Sequence, residues 1–216
     1  MISHEHRCIF IHIPKTGGTS LENLIWPADQ HDEAHLARGF VDEFHNRYQT
    51  GSLKHLLARQ VRHAVGAEVF ERCFKFAFVR NPWDRAVSQY AYMARRPDLR
   101  RFAGLPDDAC FKTWLDRTGR RRHVQWEPQI HFLVDEGGQS LVDAIGRFEN
   151  FEADARRVLA TLGLPAHALP HDNASERSAY PHYYDAESRE IVAERYAADI
   201  AAFNYRFERA AMALAA

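Results

Sequence analysis

Lys15, Thr16, Gly17, Gly18, Thr19 and Ser20 place one cation, two adjacent glycines and three hydroxyls in six consecutive residues. Glycines let backbone N–H groups turn inward around an anion. A helical pattern begins at once, with Leu21, Leu24 and Ile25 on one face, and a new helix adds unpaired N–H groups and a positive dipole end. Lys15 adds a full charge; the chain has 24 arginines and only four lysines, so a lysine here is not background. Together these residues form a cradle for a phosphate-like group. A second anion site is spelled by Arg80 and Ser88. Arg80 closes the aromatic run Phe74–Val79, and Ser88 falls two turns into a helix that Asn81 and Pro82 should start. At that spacing both can converge on one small anion. Plainer roles stay open for each: an ordinary strand–turn–helix junction for the first segment, helix capping or an Asp84 pair for Arg80, and a helix surface for Ser88.

The order of the residues narrows the ligand. In the nucleotide-triphosphatase loop the lysine follows the glycines and is itself followed by a magnesium-binding Ser or Thr. Here Lys15 precedes Gly17 and Gly18, and G-x-G-x-x-G is absent as well. The second strand ends in Arg80 where a triphosphatase would carry an aspartate for Mg²⁺. A sulfuryl group in transfer carries less negative charge than a phosphoryl group, so fixed Lys and backbone donors can suffice. An anion site without a metal-holding acid favours sulfuryl over phosphoryl transfer.

The elements that must position these groups are set by the hydrophobic pattern. Cys8–Ile13 and Phe74–Val79 read as short buried strands, and Leu141–Ile145 as another that reaches Arg147, Phe148 and Glu149. Leu53, Leu56, Leu57, Val61 and Val65 mark an amphipathic helix. Further helices are expected from Pro82, over 150–162 with a stop at Gly163, and over about 186–203. The stretch from Pro27 to about Gly51 has no clear period, and 170–180 reads as a turn-rich loop. Strands alternating with helices predict an α/β fold with a mostly parallel sheet and a ligand at the carboxyl ends of its strands. Both anion motifs lie just after strand ends.

Composition sets the outer limits. A chain of 216 residues predicts one domain spanning 1–216, and a net charge of −1 argues against general nucleic-acid binding. No window approaches a membrane span. Cys8, Cys73 and Cys110 are scattered and odd in number, which suits a reducing compartment. Thirteen histidines give no spacing typical of a metal site, so no metal is expected. Nine Lys/Arg against four acids lie between Arg95 and His123, either as solvated helix faces or as a groove for an acidic acceptor; Trp114 and Trp126 could stack on sugars there or belong to the core.

The segment His12–Ser20 resembles the 5′-phosphosulfate loop of sulfotransferases that use 3′-phosphoadenosine 5′-phosphosulfate (PAPS), and Phe78–Arg85 with Ser88 resembles their 3′-phosphate site. The likeness extends to Arg147–Asn150, Asn173–Arg177, Tyr183–Asp185 and Asp199–Phe207. It is to the carbohydrate branch, sulfotransferase family 2, which includes heparan and chondroitin sulfotransferases, and within it to small bacterial members. The resemblance implies a three-layer P-loop-like fold, a central mostly parallel sheet flanked by helices. It implies sulfuryl transfer from PAPS, with release of 3′-phosphoadenosine 5′-phosphate, to the hydroxyl of a glycan that can itself be acidic. Lys15, Thr16, Gly17, Gly18, Thr19 and Ser20 would hold the phosphosulfate, and Arg80 and Ser88 the 3′-phosphate. Arg147 and Phe148 would border the adenine, and the loop holding Ser175 would close over the cofactor. Lys15 would neutralise charge on the leaving phosphate oxygen. His55 would be the catalytic base, with His12, His31, His35, His45 and His63 as rivals. Eukaryotic Golgi members carry an N-terminal anchor that is not read here, which implies a cytoplasmic enzyme. Two other classes stay open: a non-catalytic PAPS- or nucleotide-binding module, and a nucleotide kinase with an atypical loop.

Overall fold

The computed structural model describes residues 1–45, 50–165 and 178–208. Its strands are β1 (Ile2–Ser3), β2 (Cys8–Ile11), β3 (Phe40–His45), β4 (Thr50–Ser52), β5 (Phe74–Val79) and β6 (Ala144–Arg147). Its α-helices are α1 (Gly18–Ile25), α2 (Ala58–Val65), α3 (Ala67–Arg72), α4 (Pro82–Met93), α5 (Pro97–Ala103), α6 (Phe111–Gly119), α7 (Phe151–Thr161), α8 (Ala186–Arg195) and α9 (Ala197–Phe203). The chain forms two compact units. The first combines Met1–Arg80 with His123–Ala174, and the second combines Asn81–Arg122 with Ser175–Ala216.

The first unit is built on a four-stranded sheet of order β1-β2-β5-β6. β2, β5 and β6 run parallel, and β1 folds back antiparallel on β2. The expected mostly parallel α/β sheet flanked by helices is therefore the observed fold. Cys8 and Phe10 of β2 and Phe76 and Phe78 of β5 share one face, since side chains alternate along a strand. Leu21 and Ile25 of α1 and Ala155, Val158 and Leu159 of α7 pack into that same buried cluster. Ile9, Ile11, Ala77 and Val79 are buried on the opposite face. Burial on both faces is why these strands read as continuous apolar runs rather than alternating ones. The register fixes where the strand-end residues emerge. Val79 pairs with Arg147, so β5 and β6 end level, while β2 ends at Ile11 opposite Ala77, two residues earlier, where the turn that leads to Lys15 begins.

In the second unit, Asn81 caps α4 by accepting the Trp83 N–H at 3.1 Å, with Pro82 at the first helical position as expected. Trp83 donates to the carbonyl of Arg189, and Tyr184 donates to that of Trp83. Trp114 is buried against Met93 and Trp126, in the first unit, is buried as well, so both tryptophans belong to cores.

Five boundaries differ from the sequence reading, the first being β2, which ends at Ile11 rather than Ile13. The region 53–65 is not one helix: Leu53–His55 forms a 3₁₀ turn, Leu56 and Leu57 are extended, and α2 starts only at Ala58. The Gln60 side chain accepts the Leu57 N–H at 2.8 Å and fixes that late start. The last strand begins at Ala144 rather than Leu141, the final helix divides at Tyr196, and the aperiodic stretch contains the β3–β4 hairpin. No helix among the described residues is long and apolar enough to cross a membrane.

Candidate active site

The carboxyl ends of the parallel strands of the first unit put three segments side by side: the turn after β2, Arg80 after β5 and Phe148 after β6. The turn is held from within. Thr16 is buried and its hydroxyl donates to the Ile13 carbonyl at 2.9 Å. Lys15 has φ +68° and Gly17 φ +84°, so two left-handed residues curl the backbone before α1 begins at Gly18. Glycine takes that conformation at no steric cost; lysine does not, and its presence there is local strain of about 1 kcal/mol or more. Thr19 is exposed and Ser20 is buried.

Both glycines are also required by close neighbours. A β-carbon on Gly17 would lie 2.9 Å from Cδ2 of Phe148. One on Gly18 would lie 2.5 Å from Nε2 of His12 and 2.8 Å from Cζ of Phe10. Gly18→Ala must therefore displace two buried rings, and overpacking of this kind costs about 1–3 kcal/mol. Its thermal midpoint should fall by several degrees. A midpoint equal to that of the wild type would show that His12 yields without cost.

Arg80 is only 7% exposed, although it carries a full charge. Its guanidinium lies 3.7 Å from the centre of the Phe148 ring, and Nη1 donates to the Lys15 carbonyl at 3.2 Å. Its backbone is gripped by the buried side chain of Gln129, which accepts the Arg80 N–H and donates to the Arg80 carbonyl, both at 2.8 Å. The Arg147 N–H donates to Asp154 Oδ2, which ties the end of β6 to α7.

Behind the turn lies a network of four ionisable side chains. His55 Nδ1 is 2.9 Å from the carbonyl oxygen of His12. A carbonyl only accepts, so Nδ1 carries the proton and Nε2 is the basic nitrogen of the neutral ring. The His12 and His55 rings meet edge to face at 4.9 Å. His12 Nδ1 is 2.5 Å from Glu22 Oε1, and Lys54 donates to Glu22 Oε2 at 2.7 Å. Burial, and then the neighbouring His12, hold His55 well below the usual histidine range. Burial also lowers His12, against the upward pull of Glu22. Burial alone would raise Glu22, but His12 and Lys54 outweigh it and hold the carboxyl at about 2. At neutral pH the site thus holds a carboxylate and two uncharged imidazoles.

A curled backbone with a lysine, a stacked arginine and a neutral imidazole of fixed tautomer can bind an anion and accept a proton from a hydroxyl. The family model for the sulfotransferase family matches residues 1–206. The chain belongs to the sulfotransferase family. Sulfuryl transfer is the reaction class that goes with this membership. Human carbohydrate sulfotransferase 14 is 24% identical over 241 aligned positions, which include 95% of this chain and 59% of the human protein. The chain thus spans about three fifths of that relative. An uncharacterized protein of Archaeoglobus fulgidus is 30% identical over 109 residues, half of this chain and 82% of that protein. Among solved structures, a sulfotransferase from Alicyclobacillus acidocaldarius is similar, with a TM-score of 0.45 and 18% identity over 93% of this chain and 97% of that one.

In this family member, backbone, ring and side-chain contacts link Lys15, Gly17, Gly18, Arg80, Phe148 and His55. Ser88 is buried on α4 in the second unit, and Ser175 lies outside the described residues. Glu22, Lys54 and Gln129 are missing from the sequence reading. For Glu22 a signal existed: it stands four residues after Gly18 and four before Trp26, on a helix face that is buried. Nothing local marks Gln129, which acts across 49 residues.

Proposed function

We propose that this protein transfers a sulfuryl group from PAPS to a hydroxyl of a carbohydrate acceptor by in-line displacement. The observation that carries this reading is the meeting of the Lys15 turn, the Arg80–Phe148 stack and the tautomer-fixed His55 at one end of the sheet. The donor, when bound, supplies the sulfuryl group on a phosphate leaving group. The turn suits a phosphosulfate because its curled backbone and Lys15 offer donors to several oxygens. In this reading Lys15 meets the charge that develops on the leaving oxygen, and His55 Nε2 takes the proton of the attacking hydroxyl. Arg80 and Ser88 hold the 3′-phosphate, as the family pattern suggests, while Phe148 and Arg147 border the adenine and Ser175 belongs to the covering loop. The carbohydrate acceptor draws support from the name of the human relative. Three free cysteines agree with a cytoplasmic setting, and the family match across both units with a single domain of 1–216.

Calorimetry with 3′-phosphoadenosine 5′-phosphate tests the donor. Binding should be equal in excess chelator and in Mg²⁺, whereas tight binding of ATP only with Mg²⁺ would favour a kinase. Arg80→Ala should lose at least about tenfold in affinity, since a charge-assisted contact contributes about 1.5–3 kcal/mol. The variant should also lose its preference over adenosine 5′-phosphate. Equal weakening of both ligands would make Arg80 structural only. Binding without turnover of any hydroxyl acceptor would favour the non-catalytic module.

A further inference from the structure

The buried carboxylate of Glu22 takes no part in the proposed sulfuryl transfer, yet it is joined to the base on two sides. On α1, Glu22 is 3% exposed and contacts His12 Nδ1 through Oε1 at 2.5 Å. Its other oxygen accepts from Lys54, the residue directly before His55 on the 3₁₀ turn. His12, just beyond the end of β2, supplies the carbonyl for His55 Nδ1 and the ring that meets the His55 ring edge to face. The four groups therefore close a loop: Glu22 to His12, His12 to His55, His55 through the chain to Lys54, and Lys54 back to Glu22. One bridging carboxylate fixes the ring that walls His55 and the backbone that carries it.

We propose that Glu22 is a positioning residue for the reaction, holding His55 in the Nδ1–H tautomer with Nε2 toward the acceptor, and that Lys54 is its counterweight. This rests on the reading of His55 as the base. The physical reason is that a histidine works as a base only with the correct nitrogen bare and correctly aimed, and a second group must impose both. Glu22 touches neither donor nor acceptor in this scheme; it acts through His12 and Lys54.

The charges give the proposal a signature that packing alone would not. The groups facing His55 are His12 from the end of β2, Glu22 from α1 and Lys54 from its own turn; the Met1 amino group, which burial lowers to about 5 and so leaves uncharged at neutral pH, neighbours His12 and Glu22. Glu22 draws the proton affinity of His55 upward and Lys54 pushes it down. Removing one or the other should move the acid limb of the pH–rate profile in opposite directions.

The test uses the full chain, with ¹⁵N-labelled histidine and the His55 signals assigned by their loss in His55→Ala. The wild type should show His55 as the Nδ1–H tautomer. Glu22→Gln keeps size and hydrogen-bonding capacity but removes the charge. It should mix the His55 tautomers, move its titration to lower pH and lower kcat at least tenfold, short of the roughly 10²–10⁴-fold loss from removing the general base itself. Affinity for 3′-phosphoadenosine 5′-phosphate should stay within about twofold, because donor-binding groups are untouched. Lys54→Met, at a side chain 32% exposed and tolerant of change, should move the His55 titration to higher pH. If Glu22→Gln does not fold, the Lys54→Met shift alone decides. An unchanged His55 tautomer and titration in both variants, or shifts of the same sign, would overturn the proposal. Full turnover in His55→Ala would instead overturn the reading of His55 as the base, and the tautomer measurement would still judge what Glu22 holds.

Discussion

Replacing Lys15 with alanine should lower turnover by about 10²–10³-fold or more, the range seen when one preorganised donor is removed from a developing charge. Affinity for 3′-phosphoadenosine 5′-phosphate should fall much less, because the curled backbone and the arginine still face the ligand. The backbone conformation requires a control. Lys15 has φ +68°, and alanine adopts that region at a cost, so part of any loss could be conformational. Lys15→Asn separates the two, since asparagine tolerates the left-handed region but carries no charge. If Lys15→Asn restores turnover, the lysine serves the turn and not the leaving group.

His55→Ala should reduce kcat by about 10²–10⁴-fold while leaving the fold and product binding intact. The structure narrows the rivals. His12 is buried against Glu22, His35 pairs with Asp32 at 2.7 Å, His63 pairs with Glu43 at 3.0 Å, and His31 contacts the Trp26 carbonyl. Of these, His55 is the one whose Nδ1 is fixed by a carbonyl beside the Lys15 turn. Its proton affinity is depressed by burial and by His12, so it stays a competent base below the ordinary histidine value. Activity should rise with pH through an acid limb placed under 6.5 and be flat across neutrality. An acid limb at or above 6.5 that persists in His55→Ala would assign the proton to another group.

The sequence reading reached the two strand–turn–helix segments because their causes are local. β2 and β5 are buried on both faces and show as apolar runs, the Lys15 turn needs its glycines, and Asn81 with Pro82 starts α4. The β3–β4 hairpin escaped because its strands show no regular alternation. The break at Tyr196 escaped because the helical period continues through it while the backbone turns away at φ −113°, ψ 26°. The site was legible in its anion-binding half and not in its proton-transfer half. Lysine and glycine announce a phosphate turn by type and order. Glu22, His12, Lys54 and His55 acquire meaning only when the fold brings α1 beside the 53–55 turn, and no spacing encodes that.

The Gln129 grip on Arg80 ties the anion site to the order in which the chain is made. Where the β5 ladder stops, the N–H and carbonyl of Arg80 are paired not by another strand but by one side chain 49 residues later, and the ring beneath its guanidinium arrives at residue 148. A growing chain that has released β2, α1, β5 and α4 already contains both anion motifs, yet lacks the contacts that fix Arg80. Such long-range closures carry an entropic cost before they are rewarded, so the site should be completed late in folding. Ligand binding would then report on the whole first unit, and 3′-phosphoadenosine 5′-phosphate at 100 times its dissociation constant should stabilise that unit by about 2.7 kcal/mol.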